Sequence, residues 1–178
     1  ANRFRMGLTS RVVVYVPNGS SCSKMWPYSK EFAGRLLENE EVTLVMLGDE
    51  RGVTMDEHPR LIKIGLGWNV RRAMTFCQLA DVVIGQETGL LNAVAFEEEV
   101  AKVVLMSHSS EENLTRDWPN TTAFRMMPDC APCHRLHYDW QYCTKDEETQ
   151  SAKCQALITV DSVLHAIGMA FKRIQMAA

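Results

Sequence analysis

The sequence predicts an α/β fold, a Rossmann-like parallel sheet with helices on both faces. Short runs of apolar, often β-branched residues alternate with segments whose apolar residues recur at helical spacing. The strand-like runs are apolar at nearly every position, as in parallel strands that are buried on both sides. A length of 178 residues accommodates five such strands and their crossovers around one core.

The first half of the chain supplies three of the predicted strands. The first, at 11–16, is a β-branched run closed by the turn residues at 17–20, and the second, at 42–47, ends at Gly48. The third strand, at 61–64, is short. Helices are predicted at 29–38, with three large apolar residues on one face, and at 69–79.

The second half continues the alternation. A fourth strand opens at Asp81 and ends at Gly85, and a helix with a small apolar face is predicted at 88–98. A fifth strand follows at 100–106. The segment 159–178 carries apolar residues at helical spacing and predicts an amphipathic helix that closes the domain.

The polar turn after the fourth strand is the most informative part of the chain. In an open α/β sheet, ligands collect at the carboxyl ends of the strands, where this turn would lie. Thr88 stands where a helix N-cap would fall, and the first amides of a helix suit a phosphate. An ordinary strand-to-helix connection has the same spacing.

The segment Glu87-Thr88-Gly89-Leu-Leu-Asn92 resembles the D-[ST]-G-x-x-H-x-A-A signature of the ADP-heptose:lipopolysaccharide heptosyltransferases, glycosyltransferase family 9. The resemblance implies that these four residues surround the diphosphate and ribose of a nucleotide-sugar donor. Two positions differ from the signature, which has aspartate at the first and histidine at the last. An asparagine can hydrogen-bond a phosphate oxygen, but it lacks the charge that an imidazole can carry.

Two further segments carry the same resemblance. Lys24-Met-Trp26-Pro27 is similar to the family's K-x-W-P element, which implies that Lys24 reaches the donor phosphates. Glu50 follows the second strand, and the resemblance implies that it meets the ribose hydroxyls. The hydroxyl-rich turn 107–110 would face the donor. A solvated lysine, a solvated charged turn and a helix cap are the simpler interpretations of these segments.

Four of the six cysteines form a second cluster of interest, Cys130, Cys133, Cys143 and Cys154. A C-x2-C pair with two more thiols is a workable tetrahedral zinc site, with His134 and His137 as spare ligands. Disulfides and free thiols are the alternatives. The resemblance includes a similar cysteine cluster, which would staple the long loop at 128–155.

Several classes of function lack their signatures. No G-x-x-x-x-G-K-[ST] loop occurs, and no histidine is followed two residues later by the glutamate that a zinc deaminase needs. The net charge is −3 and no run of basic residues occurs, so nucleic acid is not an expected partner. No signal peptide or transmembrane run is apparent.

The resemblance extends from about residue 12 to residue 163 and corresponds to the C-terminal half of a two-domain GT-B enzyme. We therefore expect residues 1–178 to form the donor-binding domain of an inverting glycosyltransferase. It would transfer a heptose-like sugar from a nucleoside diphosphate sugar to a glycan or lipopolysaccharide-type acceptor without a catalytic metal.

The same resemblance places the acceptor site and the catalytic aspartate in an N-terminal domain that is absent from this chain. The isolated domain would then be inactive, and the enzyme cytoplasmic or peripheral to the inner face of the membrane. A non-catalytic nucleotide-binding domain and a zinc-stapled interaction domain are the alternative hypotheses.

Overall fold

A computed structural model describes residues 1–8, 11–136 and 138–177 and contains one six-stranded parallel sheet. The strands are β1 Arg11–Val16, β2 Val42–Leu47, β3 Leu61–Gly65, β4 Val82–Gln86, β5 Ala101–Leu105 and β6 Thr121–Phe124. Their order is β3-β2-β1-β4-β5-β6, and all pairs are parallel. The predicted Rossmann-like fold is therefore confirmed.

The sixth strand is a correction to the sequence prediction, which had five. β6 is only four residues long and only half-buried at every position, because it lies at the edge of the sheet. Its sequence, Thr-Thr-Ala-Phe, has neither the continuous apolar run of a central strand nor a clear alternation. It is a strand because it pairs with β5, from Lys102↔Thr121 to Leu105↔Phe124.

Seven helices are found in the described residues. They are α1 Asn2–Met6, α2 Ser29–Leu36, α3 Val70–Cys77, α4 Gly89–Asn92, α5 Glu111–Leu114, α6 Lys153–Ala156 and α7 Val160–Ala177. None of them has both the length and the apolar character needed to cross a membrane.

The predicted helix at 88–98 is wrong in its extent, since α4 ends after a single turn at Asn92. Three consecutive glutamates follow at 97–99, and negative charge at a helix C-terminus opposes the helix dipole. The buried Lys102 also donates from Nζ to the carbonyl oxygen of Glu97 at 2.6 Å. This contact closes the turn that leads into β5.

The two faces of the sheet form separate apolar cores. On one face, Val13 and Tyr15 pack with Phe32 of α2 and Ile167 of α7. On the other face, the alternate residues of β1 pack with α3, including Phe76. A strand sends successive side chains to opposite faces, so an uninterrupted apolar run such as β1 requires helices on both sides.

The strand order creates a switch point at the carboxyl edge of the sheet. The chain moves outward from β1 through β2 to β3, then returns to place β4 on the other side of β1 and continues to β5 and β6. The loops that follow β1 and β4 therefore leave the sheet side by side and diverge. In open α/β sheets this crevice is the usual ligand site.

The close approach of β1 and β4 requires a glycine at position 85. Val16 is the register partner of Gly85, and a Cβ built on Gly85 would collide with the Val16 carbonyl oxygen and lie 2.9 Å from Val16 Cβ. The colliding atoms belong to backbone and to a stiff β-branched residue, so neither can move freely. Gly85 therefore fixes the spacing of the two strands that carry the switch point.

We expect Gly85→Ala to lower the free energy of unfolding by about 1–3 kcal/mol through overpacking. Chemical denaturation measures the change. Gly34→Ala is the matched control, because Gly34 is exposed on α2 with no heavy atom within 4 Å of the added methyl group. That variant should gain about 1 kcal/mol from helix propensity, and equal stability of the two variants would contradict the steric argument.

Candidate functional site

Lys24 and Glu87 meet across the switch point. Lys24 Nζ donates to the main-chain carbonyl oxygen of Glu87 at 2.7 Å and lies 3.8 Å from Glu87 Oε2. Both residues are buried. Burial lowers the pKa of Lys24, and the nearby Glu87 carboxylate opposes that shift. The structure thus brings together two of the residues that the sequence singled out.

Contacts within the loop after β1 hold Lys24 in this position. An antiparallel bridge between Asn18 and Met25 closes the loop, and the Gly19 amide donates to the Lys24 carbonyl oxygen at 3.2 Å. The lysine stem crosses directly over Gly19, since a Cβ there would lie 2.9 Å from Lys24 Cβ. The tryptophan of the same segment has a packing role: Trp26 is 3% exposed and donates to the Ile158 carbonyl oxygen at 2.9 Å.

The Glu87 carboxylate accepts hydrogen bonds from neighbouring groups of the protein. Its Oε1 accepts from the amides of Ser107 and Ser109 at 3.0 and 3.2 Å. Its Oε2 accepts from Ser107 Oγ at 2.9 Å and lies 2.8 Å from His108 Nδ1. Glu87 thus joins the loop after β4 to the loop after β5, and the donor contact that the resemblance implies for it stays a prediction.

These contacts also set the protonation of Glu87. Burial raises the pKa of the carboxyl group, but the hydrogen bonds and charge of His108 and the hydrogen bonds from Ser107 outweigh it and lower the pKa to about 2. The side chain is only 4% exposed. Glu87 is therefore a buried carboxylate that stays charged at neutral pH.

The residues on either side of Glu87 leave polar atoms unsatisfied. Thr88 occupies the N-cap position of α4, but its hydroxyl makes no capping bond. Thr88 Oγ1 and Gln86 Oε1 are the buried side-chain polar atoms without a hydrogen-bond partner in the described part of the chain. They flank Glu87 in sequence at the end of β4. Buried polar atoms are rarely left unpaired, so this pair marks a place where water or a ligand belongs.

Open space surrounds the next residue along the chain. Gly89 is exposed, and no heavy atom lies within 4 Å of a Cβ built on it. Asn92 is exposed at the end of the single turn of α4. A ligand that reached Thr88 would therefore meet backbone at Gly89 and an uncharged amide at Asn92.

Glu50 lies farther along the carboxyl edge, where β2 and β3 end. It is exposed, and its Oε1 would lie 3.1 Å from a Cβ on Gly65, which has a φ of +54°. The neighbouring Asp49 forms an ion pair with Arg51. No hydrogen bond among the described residues joins the Glu50 side chain to Lys24 or Glu87, so its carboxylate remains available at the rim of the crevice.

The four clustered cysteines line one cavity of about 280 Å³. No disulfide joins Cys130, Cys133, Cys143 or Cys154 to another described residue. Burial, with the neighbouring thiols, raises the pKa of Cys143 to about 12 and that of Cys154 to about 11. Among the described residues, no group of three or more potential ligands is arranged to hold a metal ion.

His134 and His137 were predicted as spare metal ligands beside these cysteines. The His134 amide donates to the carbonyl oxygen of His108 at 2.8 Å, and His134 has a φ of +53°. His137 lies outside the described residues.

The cysteine-rich segment covers the carboxyl edge of the sheet beside β5. Besides the contact between His134 and His108, Cys22 Sγ donates to the Asp139 carbonyl oxygen at 3.0 Å. Gln155 of α6 donates to the Met106 carbonyl oxygen at 2.8 Å and accepts from Gln86 at 3.0 Å. The segment is thereby connected to the loops or ends of β1, β4 and β5.

Sequence reasoning did not identify His108 or Gln86. His108 was part of the predicted donor-facing turn 107–110, but the candidate phosphate contacts in that turn were Ser109 and Ser110. It is nonetheless the titratable side chain in that turn, and this was a usable signal. Gln86 carried no comparable signal, because its role depends on Gln155, which is distant in sequence.

The fold is shared with known glycosyltransferases. The superposition with the structure of Escherichia coli ADP-heptose LPS heptosyltransferase II covers 99% of this chain and 50% of the heptosyltransferase chain. Its TM-score is 0.71, and the two sequences are 14% identical. A glycosyltransferase family 9 protein from Veillonella parvula matches 97% of this chain and 50% of its own, with a TM-score of 0.67 and 12% identity.

A third match is the heptosyltransferase TibC of enterotoxigenic E. coli, described as iron-containing and dodecameric. It covers 93% of this chain and 46% of its own, with a TM-score of 0.69 and 16% identity. A second TibC structure is in complex with ADP-D-β-D-heptose. Its superposition covers 94% of this chain and 47% of the TibC chain, with a TM-score of 0.69 and 14% identity.

The chain has a heptosyltransferase-like fold. It spans about half the length of these solved structures. The sequence itself matches no protein-family model and no curated protein. At these identities the heptosyltransferase-like fold is established by the strand order and the superposition, not by sequence similarity.

We expect Glu87 to make the stability of the domain depend on acid pH. Its pKa falls from an ordinary value of 4.5 to about 2 on folding, so its contribution is complete above pH 4.5 and is lost as the pH falls toward 2. The contribution amounts to about 3 kcal/mol.

Denaturation series between pH 2 and pH 7 measure this contribution. Glu87→Gln should be less stable than the wild type at pH 7 and should lose less stability on acidification. Glu57→Gln, at an exposed position, is the control and should follow the wild-type curve. A Glu87→Gln variant with the full wild-type acid dependence would show that other carboxylates carry it.

Proposed function

We propose that this chain is the donor-binding domain of a glycosyltransferase and that it binds the diphosphate of a nucleotide sugar at the switch point between β1 and β4. The observation that carries the proposal is the Thr88 hydroxyl, which is buried without a partner beside the open space at Gly89. The similarity of fold to heptosyltransferases supports the same function.

The unpaired hydroxyl favours an anionic, hydrogen-bond-accepting ligand. A buried polar group without a partner destabilises the protein by about 1–3 kcal/mol, and a bound phosphate oxygen would accept from Thr88 and remove that loss. The ligand would also meet the backbone at Gly89, where no side chain blocks its approach. Asn92, exposed at the end of α4, can donate its amide to the same group.

Lys24 supplies positive charge to this place. Its ammonium group carries three protons, and its contacts with Glu87 use the main-chain carbonyl oxygen at 2.7 Å and a more distant carboxylate oxygen. A proton therefore remains for a phosphate oxygen. The exposed Glu50 would accept from the ribose hydroxyls at the other end of the crevice.

The chemistry that follows is inverting transfer. An acceptor hydroxyl loses its proton to a base and attacks the anomeric carbon, while the bond from that carbon to the diphosphate oxygen breaks. The electron pair leaves with the nucleoside diphosphate, whose growing charge Lys24 and Thr88 stabilise. The base and the acceptor site belong to the other half of the enzyme, so we expect no transfer by this domain alone.

A non-catalytic nucleotide-binding domain is the second candidate function. The observation that favours it is Asn92, an exposed and uncharged residue at the position where the resemblance has histidine. Both functions require nucleoside diphosphate binding. Transfer of sugar in the presence of the acceptor domain separates them.

We propose in addition that the four clustered cysteines hold a structural metal. They line one cavity, and four thiol groups suit a tetrahedral zinc site, although the described residues are not arranged around a metal position and would have to draw together on binding. TibC, which shares the fold, is described as iron-containing. A bound metal would cross-link the cysteine-rich segment at its two ends and at Cys143. No catalytic step depends on it.

We expect the full chain to bind a nucleoside diphosphate saturably, and Thr88→Val to weaken that binding by about 1–3 kcal/mol. Calorimetric titrations with ADP, UDP, GDP and ADP-heptose measure the affinity and name the base. The variant keeps the side-chain shape and removes a hydroxyl that bonds no described residue, so its melting temperature should be unchanged or higher. Lys24→Ala should weaken binding to a similar extent.

The control for this series is Thr75→Val, whose hydroxyl donates to the Arg71 carbonyl oxygen on the exposed surface of α3. It should bind like the wild type. Absence of binding to all four nucleotides would refute the proposed function. Binding that is unchanged in both Thr88→Val and Lys24→Ala would place the ligand elsewhere.

We expect a divalent metal to raise the melting temperature of the chain, because a ligand of the folded state stabilises it. Cys133→Ser should abolish this increase and reduce the metal content measured by elemental analysis. Cys77→Ser is the control, since Cys77 is buried on α3 outside the cluster. It should lower stability equally with metal and with chelator. A full metal effect in Cys133→Ser would refute the cysteine site.

A further inference from the structure

Another cavity, of about 320 Å³, lies where three loops meet. The loop after β1, the loop after β2 and the cysteine-rich segment contribute to its lining, together with the first turn of α2. The described residues that line it include none of those proposed to contact the donor or a metal. Its volume is within the usual range for small-molecule sites.

Hydrogen bonds hold the walls of this cavity in place. Asn18 Nδ2 donates to the Arg51 carbonyl oxygen at 2.7 Å, which joins the loop after β1 to the loop after β2. An antiparallel bridge between Lys145 and Ala152 closes the part of the cysteine-rich segment that carries Gln150. The cavity is therefore formed before any ligand arrives.

The lining of the cavity is close to neutral. Among its described residues there is no aspartate or glutamate, and Lys30 is the one basic residue. Lys30 Nζ forms an ion pair with Asp56 at 2.9 Å. An anion would find no unpaired cation in this lining, and a cation would find no carboxylate. The lining therefore favours a neutral, polar ligand.

Side-chain oxygens in the lining are available to accept hydrogen bonds. Asn18 is 8% exposed, and its Oδ1 accepts from no described residue, whereas its Nδ2 is engaged. Gln150 has the same arrangement: Nε2 donates to the Glu147 carbonyl oxygen at 2.8 Å, and Oε1 has no partner in the described part of the chain. Thr54 adds an exposed hydroxyl. Free acceptors require a ligand that donates, as hydroxyl groups do.

Trp140 supplies an apolar wall. Its indole ring is half-buried and lines the cavity, and Lys145 Nζ lies 4.4 Å from the ring centroid. The face of an aromatic ring attracts groups that carry a positive partial charge. The C–H bonds on one face of a pyranose ring carry such a charge, while its hydroxyl groups point outward. An aromatic wall beside free acceptors is therefore suited to a sugar.

The backbone at Gln150 has a conformation that glutamine does not favour. Its φ is +56°, in the left-handed region. The other described non-glycine residues with positive φ are Asn120 and His134, whose residue types are enriched there. Glycine would occupy the position of Gln150 with less strain. Backbone strain of this kind is found at ligand-binding positions, and here it accompanies a side chain that lines the cavity.

We propose that this cavity binds a neutral saccharide. Trp140 packs against one face of the sugar ring, and the amide oxygens of Asn18 and Gln150 accept from its hydroxyl groups. The proposal goes beyond the proposed function, because it assigns a ligand to a cavity that the donor does not use. A sugar unit of a glycan and a free sugar present the same chemistry to this lining.

Gln150→Gly separates ligand binding from folding. It removes the amide and relieves the left-handed backbone, so its melting temperature should equal or exceed that of the wild type. Asn120→Gly is the matched control, because it makes the same backbone change at a position that does not line the cavity. Trp140→Ala removes the apolar wall, and Trp140→Phe keeps an aromatic ring there.

The test is titration of the full chain with the methyl glycosides of glucose, galactose, mannose and a heptose, followed by saturation-transfer NMR of the sugar protons. At least one sugar should bind saturably. Gln150→Gly should weaken that binding about three- to tenfold, as for one neutral hydrogen bond. Trp140→Ala should weaken it about tenfold or more. Trp140→Phe should bind more tightly than Trp140→Ala, and Asn120→Gly should bind like the wild type.

Trisaccharides of the sugar that binds distinguish the two sources. Tighter binding of the trisaccharide than of the methyl glycoside identifies a glycan as the ligand. Equal binding identifies a free sugar. Either result supports the site.

The opposite outcomes overturn the proposal. Failure of every sugar to bind would do so and would leave the proposed function standing. Sugar binding that is unchanged in both Gln150→Gly and Trp140→Ala would place the sugar elsewhere. ADP should bind Gln150→Gly as tightly as the wild type, and weaker binding would assign the cavity to the nucleotide instead. Sugar binding without any ADP binding would support the site and refute the proposed function.

Discussion

The buried carboxylate of Glu87 is the interaction on which the arrangement of the crevice depends. It accepts hydrogen bonds from the loop after β5, while its main-chain carbonyl oxygen accepts one from Lys24 in the loop after β1. A charged group in this environment is stable only while these partners surround it. Three loops that leave different strands are therefore held in one relative position by a single residue.

This arrangement changes the interpretation of an acidic residue in a site for an anionic ligand. A carboxylate that faced a diphosphate would repel it. Glu87 instead turns its oxygens toward amides, a hydroxyl and an imidazole, and its charge holds Lys24 and His108 close to the crevice. The polar atoms left unsatisfied are those of its two neighbours in sequence, Gln86 and Thr88.

The sheet was predictable from sequence because parallel strands buried on both faces are nearly continuous apolar runs. Local signals failed where tertiary contacts decide the structure. β6 exists because β5 pairs with it, and α4 stops after one turn before a run of glutamates. For the site, Lys24 and Glu87 were identified and do meet. His108 was overlooked, because its importance comes from a contact with a residue far away in sequence.

The strand order also determines when the crevice can exist during synthesis. β1, β2 and β3 are consecutive in the chain, so their pairing can begin as soon as they have emerged from the ribosome. The neighbour of β1 on its other side is β4, which is made later, and the loop that supplies Ser107 and His108 later still. Until then, the apolar edge of β1 has no partner and Lys24 has no counter-charge. A chain stalled at this stage would expose an unpaired central strand, which is a site for association with other chains.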